Sequence, residues 1–191
     1  MDARECLLTR RSVRKYKDEP LSDELLHRIL EPALAAPSAV NRQNWYFVVL
    51  RSPVAMYSFR SIMYRIMLSV QDFLQERFAK HPEVVEATKN FLVSLGNAPV
   101  CVLVFQLKKE YDGNSGALQS VSAAIENLLL SAWNEGIGTC WMAPHISPEL
   151  KEEIQSTFAP DKGEFVAAVT MGWPDQEPKM PARREGRYIF I

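Results

Sequence analysis

Three stretches of this 191-residue chain hold side chains whose types and spacing suit a ligand. The first is Arg10-Arg11-Ser12-Val13-Arg14. Guanidinium groups are planar forks that match phosphate and carboxylate oxygens, and Ser12 adds a hydroxyl. In an extended segment, alternation places Arg10, Ser12 and Arg14 on one side and Arg11 and Val13 on the other. The second is Arg183-Arg184, with Arg187 nearby. Two remote clusters can converge on one phosphate group, or they can be two solvated patches; the residues alone leave both readings open. The third runs from Ala36 to Trp45 and leads into a strand-like run. Pro37 stops a helix, and Ser38, Asn41 and Gln43 put polar groups on a loop at a strand mouth. Such loops commonly carry ligands, though an ordinary connection held by Asx-type bonds has the same composition.

Other familiar signatures are missing. There is no G-x-G-x-x-G: Gly136 and Gly138 lack a third glycine and follow a helix rather than a strand. There is no G-x-x-x-x-G-K-[ST], no H-E-x-x-H and no G-x-S-x-G. His27 and His81 read as solvated helix positions, while His145, beside Pro144, is a pocket candidate. Cys140 lies in the strand-like run Gly138–Met142, where a free cysteine packs as a small hydrophobe.

Composition narrows the class. The formal net charge is -1, with 47% hydrophobic and 24% charged residues, which argues against nucleic acid as the main partner. The 3 cysteines are far apart, which fits a reducing compartment rather than a disulfide scaffold or structural zinc site. The N-terminus is polar and basic, without the apolar core of a signal peptide. No apolar run approaches the ~20 residues of a spanning helix. The expectation is a single domain over residues 1–191, cytoplasmic and without a membrane partner.

The elements that must position these residues follow from periodicity. Val121, Ala124, Ile125, Leu128, Leu129, Ala132 and Trp133 form a helical stripe that Gly136 and Gly138 end. Ser22 caps a helix whose apolar face is Leu25, Leu26, Ile29, Leu30, Ala33 and Leu34. Pro53 opens another through Met56, Phe59, Met63 and Met67; Pro82–Leu95 reads as helical; Ser147-Pro148 starts one bearing Leu150, Ile154 and Phe158. Tyr46–Leu50, Val100–Leu107 and Phe165–Met171 read as strands, with Thr139–Met142 weaker. This order is compatible with a parallel α/β sheet or with an α+β fold. Residues 172–191 are Pro- and Arg-rich and end in the apolar Tyr188–Ile191, which suggests an arm that docks elsewhere.

Arg10-Arg-Ser-Val-Arg14 followed by Ala36-Pro-Ser-x-x-Asn-x-Gln-x-Trp45 resembles the opening of the nitroreductase family of FMN-dependent oxidoreductases. Gln119 and Asn127 in the apolar helix, Gly136-Ile-Gly138, and Gly172-Trp-Pro174 followed by Arg183-Arg184 extend the resemblance over nearly the whole chain. It implies an α+β fold, with a mostly antiparallel central sheet wrapped by helices. It implies a homodimer in which the C-terminal arm, 172–191, crosses to the partner subunit and adds a strand there.

The resemblance also assigns roles. Arg10, Arg11, Ser12 and Arg14 would grip the phosphate, ribityl chain and pyrimidine edge of FMN, and Arg184 with Arg183 would complete the phosphate site. Pro37, Ser38 and Asn41 would come from the other subunit, Gln119 would join the cofactor site, and Thr139, Cys140, Trp141 and Met142 would line the flavin ring. No protein group need be catalytic, because the flavin carries the chemistry. NADH or NADPH would reduce it, and a small electron-poor acceptor such as a nitroaromatic or quinone would reoxidise it by a ping-pong scheme. Met63, Tyr64, Arg65, Met67, Phe73 and Arg77 fall where the family builds its pocket cover, with core packing the expected role of the methionines. This chain has Trp141-Met-Ala-Pro144 where several members carry a Pro-x-Glu-Gly-like run. The alternatives are a specialised flavin enzyme of the same fold (dehalogenating, flavin-cleaving or dehydrogenating) and a non-catalytic flavin-binding protein.

Overall fold

The computed structural model describes residues 1–107 and 116–191, so the last residue of the expected strand Val100–Leu107 borders the undescribed stretch. The helices are α1 (Ala3–Thr9), α2 (Asp23–Leu34), α3 (Pro53–Arg77), α4 (Pro82–Ser94), α5 (Gly116–Asn134) and α6 (Pro148–Phe158). The strands are β1 (Trp45–Leu50), β2 (Val100–Gln106), β3 (Gly138–Met142) and β4 (Glu164–Gly172). They form one sheet in the order β1-β2-β4-β3, every pair antiparallel. That resolves the choice left open by periodicity in favour of α+β.

The sheet lies between two helical layers. Cys101, Leu103 and Phe105 of β2 join the core under α3, α4 and α6, while Val100, Val102 and Val104 face α2 and α5. A strand covered on both faces shows no hydrophobic alternation, which is why β2 reads as a continuous apolar run.

Local chemistry sets the helix boundaries. Ser22 Oγ accepts from Leu25 N at 3.2 Å, and Ser147 Oγ accepts from Leu150 N at 3.5 Å; each satisfies a donor that the first turn cannot. Pro32 sits inside α2 and has no N–H to offer the Arg28 carbonyl. Ser131 of α5 donates to that carbonyl at 3.1 Å, and Asn127 Nδ2 donates to the Pro32 carbonyl at 3.1 Å. The proline therefore leaves an acceptor that the neighbouring helix fills, and the two bonds fix α2 against α5. Helix α1 is capped by Asp2, which accepts from Glu5 N at 2.8 Å, but shows no apolar period, because Cys6 is its one buried residue.

Candidate anion and flavin site

The segment after α1 lies along the exposed edge of β3. Ser12 forms an isolated parallel bridge with Thr139, and Val13 N donates to Thr139 O at 2.9 Å. Val13 is fully buried, and Arg14 beyond it is exposed. The approach is close because Gly138 has no side chain: a Cβ there would stand 2.8 Å from Val13 Cβ. On the other side, the turn after α4 passes beneath Arg14. Leu95, Gly96 and Asn97 all have positive φ in this turn, and a Cβ on Gly96 would lie 2.3 Å from the Arg14 carbonyl oxygen. Tyr16 N donates to Gly96 O at 3.1 Å. The Tyr16 hydroxyl donates to Val13 O at 2.5 Å and meets Thr170 Oγ1 at 2.7 Å. Burial pushes this phenol far up, so it stays protonated and structural.

The C-terminal arm returns over the same segment. Lys17 N donates to Trp173 O, Tyr16 bridges Pro174, and Asp175 N donates to Lys15 O at 2.9 Å. The Asp175 carboxylate meets Lys15 Nζ at 2.6 Å. Beyond this clasp the arm runs back across the N-terminal arginines. Arg10, Arg11, Ser12, Arg14, Lys179 and Arg183, with Pro178 and Pro181, enclose a cavity of about 360 Å³. The two arginine clusters thus converge. Five of the lining side chains are cationic and none is acidic. Arg10 has a carboxylate neighbour, Glu126, at 3.5 Å. The Arg11 guanidinium donates to the carbonyls of Leu8 and Arg10, at 3.0 and 2.6 Å. Arg11 therefore lines the cavity as well, because the chain turns out of α1 there and the simple alternation begins only at Ser12.

Other expected residues are placed differently. Arg184 is exposed and does not line this cavity, whereas Lys179, which no motif marks, does. Pro37, Ser38 and Asn41 lie away from it, in a loop docked on α5 by the Ala39 N–H, which donates to Ser120 Oγ at 3.0 Å. Ser38 Oγ accepts from Gln43 N, and Gln43 Nε2 donates to Asn41 Oδ1 at 2.9 Å. Val40, Asn41 and Gln43 all have positive φ there. A β-branched residue held left-handed while 83% exposed is strained, and such strain clusters at ligand and switch segments. Gln119 is exposed beside this loop, and the Asn127 side chain serves the α2 contact.

On β3 the side chains alternate. Cys140 and Met142 enter the core, and Thr139 and Trp141 face the α5 side. Burial raises the Cys140 thiol pKa, against the opposing pull of Arg14 and Arg10, so it remains a thiol. Among the described residues, Thr139 Oγ1 and Trp141 Nε1 are buried without a hydrogen-bond partner. His145 is exposed and lines no cavity described here. Met63 and Met67 are core residues, Tyr64 and Phe73 are exposed, Arg65 pairs with Glu153, and Arg77 lies over Phe78. A wider groove, about 880 Å³, runs from Arg14 along α4 past Val84, Ala87 and Phe91; Arg14 stands 6.0 Å from the Phe91 ring centroid and so borders both spaces.

An antiparallel sheet between helical layers, with a cationic cavity built from side chains rather than a glycine-rich loop, defines the chain as an α+β protein with a candidate anion site. The chain belongs to the Nitroreductase family, whose pattern matches residues 7–173. It is 29% identical over 189 residues to a provisionally named NAD(P)H nitroreductase of Bacillus subtilis, covering 98% of this chain and 92% of that one. It is 27% identical over 176 residues to an iodotyrosine deiodinase of Thermotoga neapolitana, covering 90% and 89%. Among solved structures, a BluB-like flavoprotein from Clostridium difficile matches with a TM-score of 0.81 at 27% identity, over 100% of this chain and 99% of that one. A provisionally named nitroreductase in complex with FMN, from Desulfovibrio desulfuricans, matches with a TM-score of 0.71 at 25% identity, over 97% and 94%.

The residues present fit FMN. A phosphate held without a glycine-rich loop needs cationic forks, which the cavity supplies without a competing carboxylate in its wall. The adjoining strand offers two buried polar atoms with no partner of their own. Among the described residues, no helix is long and apolar enough to cross a membrane.

Proposed function

We propose that the protein is an FMN-dependent oxidoreductase. It takes a hydride from NADH or NADPH and passes electrons to a small electron-poor acceptor, such as a nitroaromatic or quinone, the two substrates using one site in turn. The observation that carries this reading is the convergence of Arg10, Arg11, Ser12, Arg14 and Arg183 on one cavity with no acidic residue in its wall. FMN bound there would supply the acceptance and return of electrons. Arg10, Arg11, Ser12 and Arg183 would hold its phosphate. Arg14, at the junction of the cavity and the α4 groove, would place positive charge at the pyrimidine edge, where reduction adds negative charge. Cys140 needs no redox role, since it is a buried thiol.

The working unit in this reading is a homodimer, with Pro37, Ser38 and Asn41 reaching the partner's flavin and the arm crossing to the partner. Supporting it are the exposed apolar side chains of Leu34, Val40 and Leu118 around that loop and the fully exposed Tyr188–Ile191. Deleting Tyr188–Ile191 should weaken the dimer in analytical ultracentrifugation; an unchanged association constant contradicts the arm's role.

The purified protein should be yellow, release FMN on denaturation, and bleach anaerobically with NADH or NADPH. A colourless protein that takes up no FMN at micromolar concentration sinks the proposal. The deiodinase relative supports a second reading, reductive dehalogenation, so the acceptors compared should be a nitroaromatic, a quinone and an iodinated tyrosine.

A further inference from the structure

The loop between α2 and β1 holds a shape that its own residues do not favour. Val40, Asn41 and Gln43 have φ of 47°, 55° and 48°, and no glycine occurs between Ala36 and Trp45. A Cβ makes left-handed backbone costly, most of all in a β-branched residue. Contacts with the start of α5 select this shape instead. Ser120 lies one turn into α5 and is buried. Its hydroxyl donates to the Gly116 carbonyl at 2.7 Å, and its oxygen accepts from the Ala39 N–H at 3.0 Å. Asn44, also buried, donates from Nδ2 to the Ala117 carbonyl at 3.2 Å. Gly116 completes the seat by lacking a side chain: a Cβ there would stand 2.9 Å from Ala39 Cβ. Inside the loop, Ser38 Oγ and Asn41 Oδ1 each accept a bond from Gln43. What the two side chains then offer a ligand is donors, the Ser38 hydroxyl and Asn41 Nδ2.

We propose that Ser120 and Gly116 are positioning residues of the flavin site: the first turn of α5 sets the height at which Ser38 and Asn41 are presented to the flavin of the partner subunit. This rests on the flavin and homodimer readings above, and it gives a role to two residues that act only through the loop. A hydrogen bond needs its donor and acceptor about 2.7–3.2 Å apart. Ala39 is next to Ser38 and two residues from Asn41, so a shift of its backbone displaces both donors together. Ser120→Ala leaves the Ala39 N–H without its acceptor and lets the loop relax away from α5. Gly116→Ala acts in the opposite sense, by pushing on Ala39. Gly116 is not left-handed, so the new methyl group brings no backbone strain of its own. Ala39 Cβ cannot rotate away from it, so the loop itself must move.

Full-length protein is stripped of flavin, and FMN binding is followed by quenching of flavin fluorescence. Ser120→Ala and Gly116→Ala should each weaken FMN binding about tenfold. Unchanged affinity in either folded variant overturns the proposal. A mixed dimer then separates positioning across the interface from a general loss of structure. Ser120→Ala protomers with one affinity tag are co-expressed with protomers that carry Arg10→Ala, Arg183→Ala and a second tag, and the doubly tagged dimer is isolated. One of its two sites combines intact arginines with an intact loop, and the other combines both defects. The mixed dimer should bind one FMN with the affinity of the unmutated protein, which neither variant homodimer does. If Ser120 serves the flavin of its own protomer, or only the stability of the fold, the mixed dimer holds no intact site. Failure to recover that one tight site therefore overturns the proposal. Absence of quenching by FMN in the unmutated protein means instead that the flavin assignment has failed. Two tags that never purify together mean that the homodimer has failed, and presentation to a partner falls with it.

Discussion

Replacing Gly96 by alanine perturbs the site through its backbone alone. Gly96 has φ +64°, and the new Cβ would stand 2.3 Å from Arg14 O and 2.8 Å from Arg14 C. Left-handed backbone costs a residue with a Cβ about 1–2 kcal/mol. Overpacking against atoms that cannot rotate away costs about 1–3 kcal/mol. The sum, about 2–5 kcal/mol, is a large fraction of the ~5–15 kcal/mol typical of a folded domain. Gly136→Ala is the internal control. Gly136 has φ +76°, and the nearest atom to its added Cβ is Trp173 Cζ3 at 3.8 Å, an ordinary contact, so it should lose only the backbone part, about 1–2 kcal/mol. Urea unfolding of the two variants should therefore differ by about 1–3 kcal/mol. Relief of the clash requires Arg14 to move, which would loosen the charge-assisted bond that the proposed function gives it with FMN. FMN titration should show roughly ten- to a hundred-fold weaker binding in Gly96→Ala and little change in Gly136→Ala. Equal stability and equal FMN affinity in the two variants would refute the claim that this turn sets the height of Arg14.

Three further outcomes follow from the same geometry. Arg10→Ala combined with Arg183→Ala should purify without flavin yet fold normally by circular dichroism, because both side chains lie at the cavity rather than in the core; normal flavin occupancy contradicts the phosphate assignment. The Asp175 carboxyl is held below its ordinary value near 3.8, first by its hydrogen bond to Lys15 and then by that residue's charge. A depressed carboxyl contributes stability above its unfolded pKa and loses it as pH falls through the folded one. Pepsin cleavage around residues 173–176 should therefore rise as pH drops below 3.8, and D175N should show the faster cleavage already at pH values where the parent is protected; matching profiles in the two proteins rule the clasp out. Cys6, Cys101 and Cys140 are all buried, and burial raises each thiol pKa. Iodoacetamide at mildly alkaline pH should leave the folded protein unlabelled, and rapid labelling of Cys140 would show an accessible thiolate that this packing does not allow.

Much of the local structure was legible from short-range signals. Ser22 and Ser147 cap helices, Pro53 and Pro82 open them, and the stripe from Val121 to Trp133 is α5. Strand direction was not legible, because pairing is non-local and β2, covered on both faces, shows no alternation to interpret. Helix α1 escaped because one buried residue makes no period. The left-handed Val40 runs against its own preference and is placed by the docking of its loop on Ser120. The arginine clusters were legible as chemistry, but their meeting depends on the return of the chain at Trp173–Asp175. For the same reason Lys179, in an irregular arm, carried no signal.

The scarcity of glycine, 8 in 191 residues, takes on a physical meaning at this site. A phosphate loop spends its glycines beside the anion, so that backbone N–H groups can approach it. Here three of the glycines, Gly96, Gly138 and Gly172, lie beneath the arginine-bearing segment instead. A Cβ on Gly138 would meet Val13, one on Gly96 would meet Arg14, and one on Gly172 would come within 3.1 Å of Tyr16 Cδ1. β3, the turn after α4 and the end of β4 thus form a trough without side chains, and residues 12–16 lie in it. Val13 and Tyr16 are buried in it, while Ser12 and Arg14 stay at the cavity. In the proposed flavin site the anion would be met by long cationic side chains whose backbone height is set from below. A methyl group added to the trough should therefore cost ligand affinity as well as stability, whereas one added at Gly186, with φ +67° and nothing within 4 Å, should leave ligand affinity unchanged and cost at most the backbone part, about 1–2 kcal/mol.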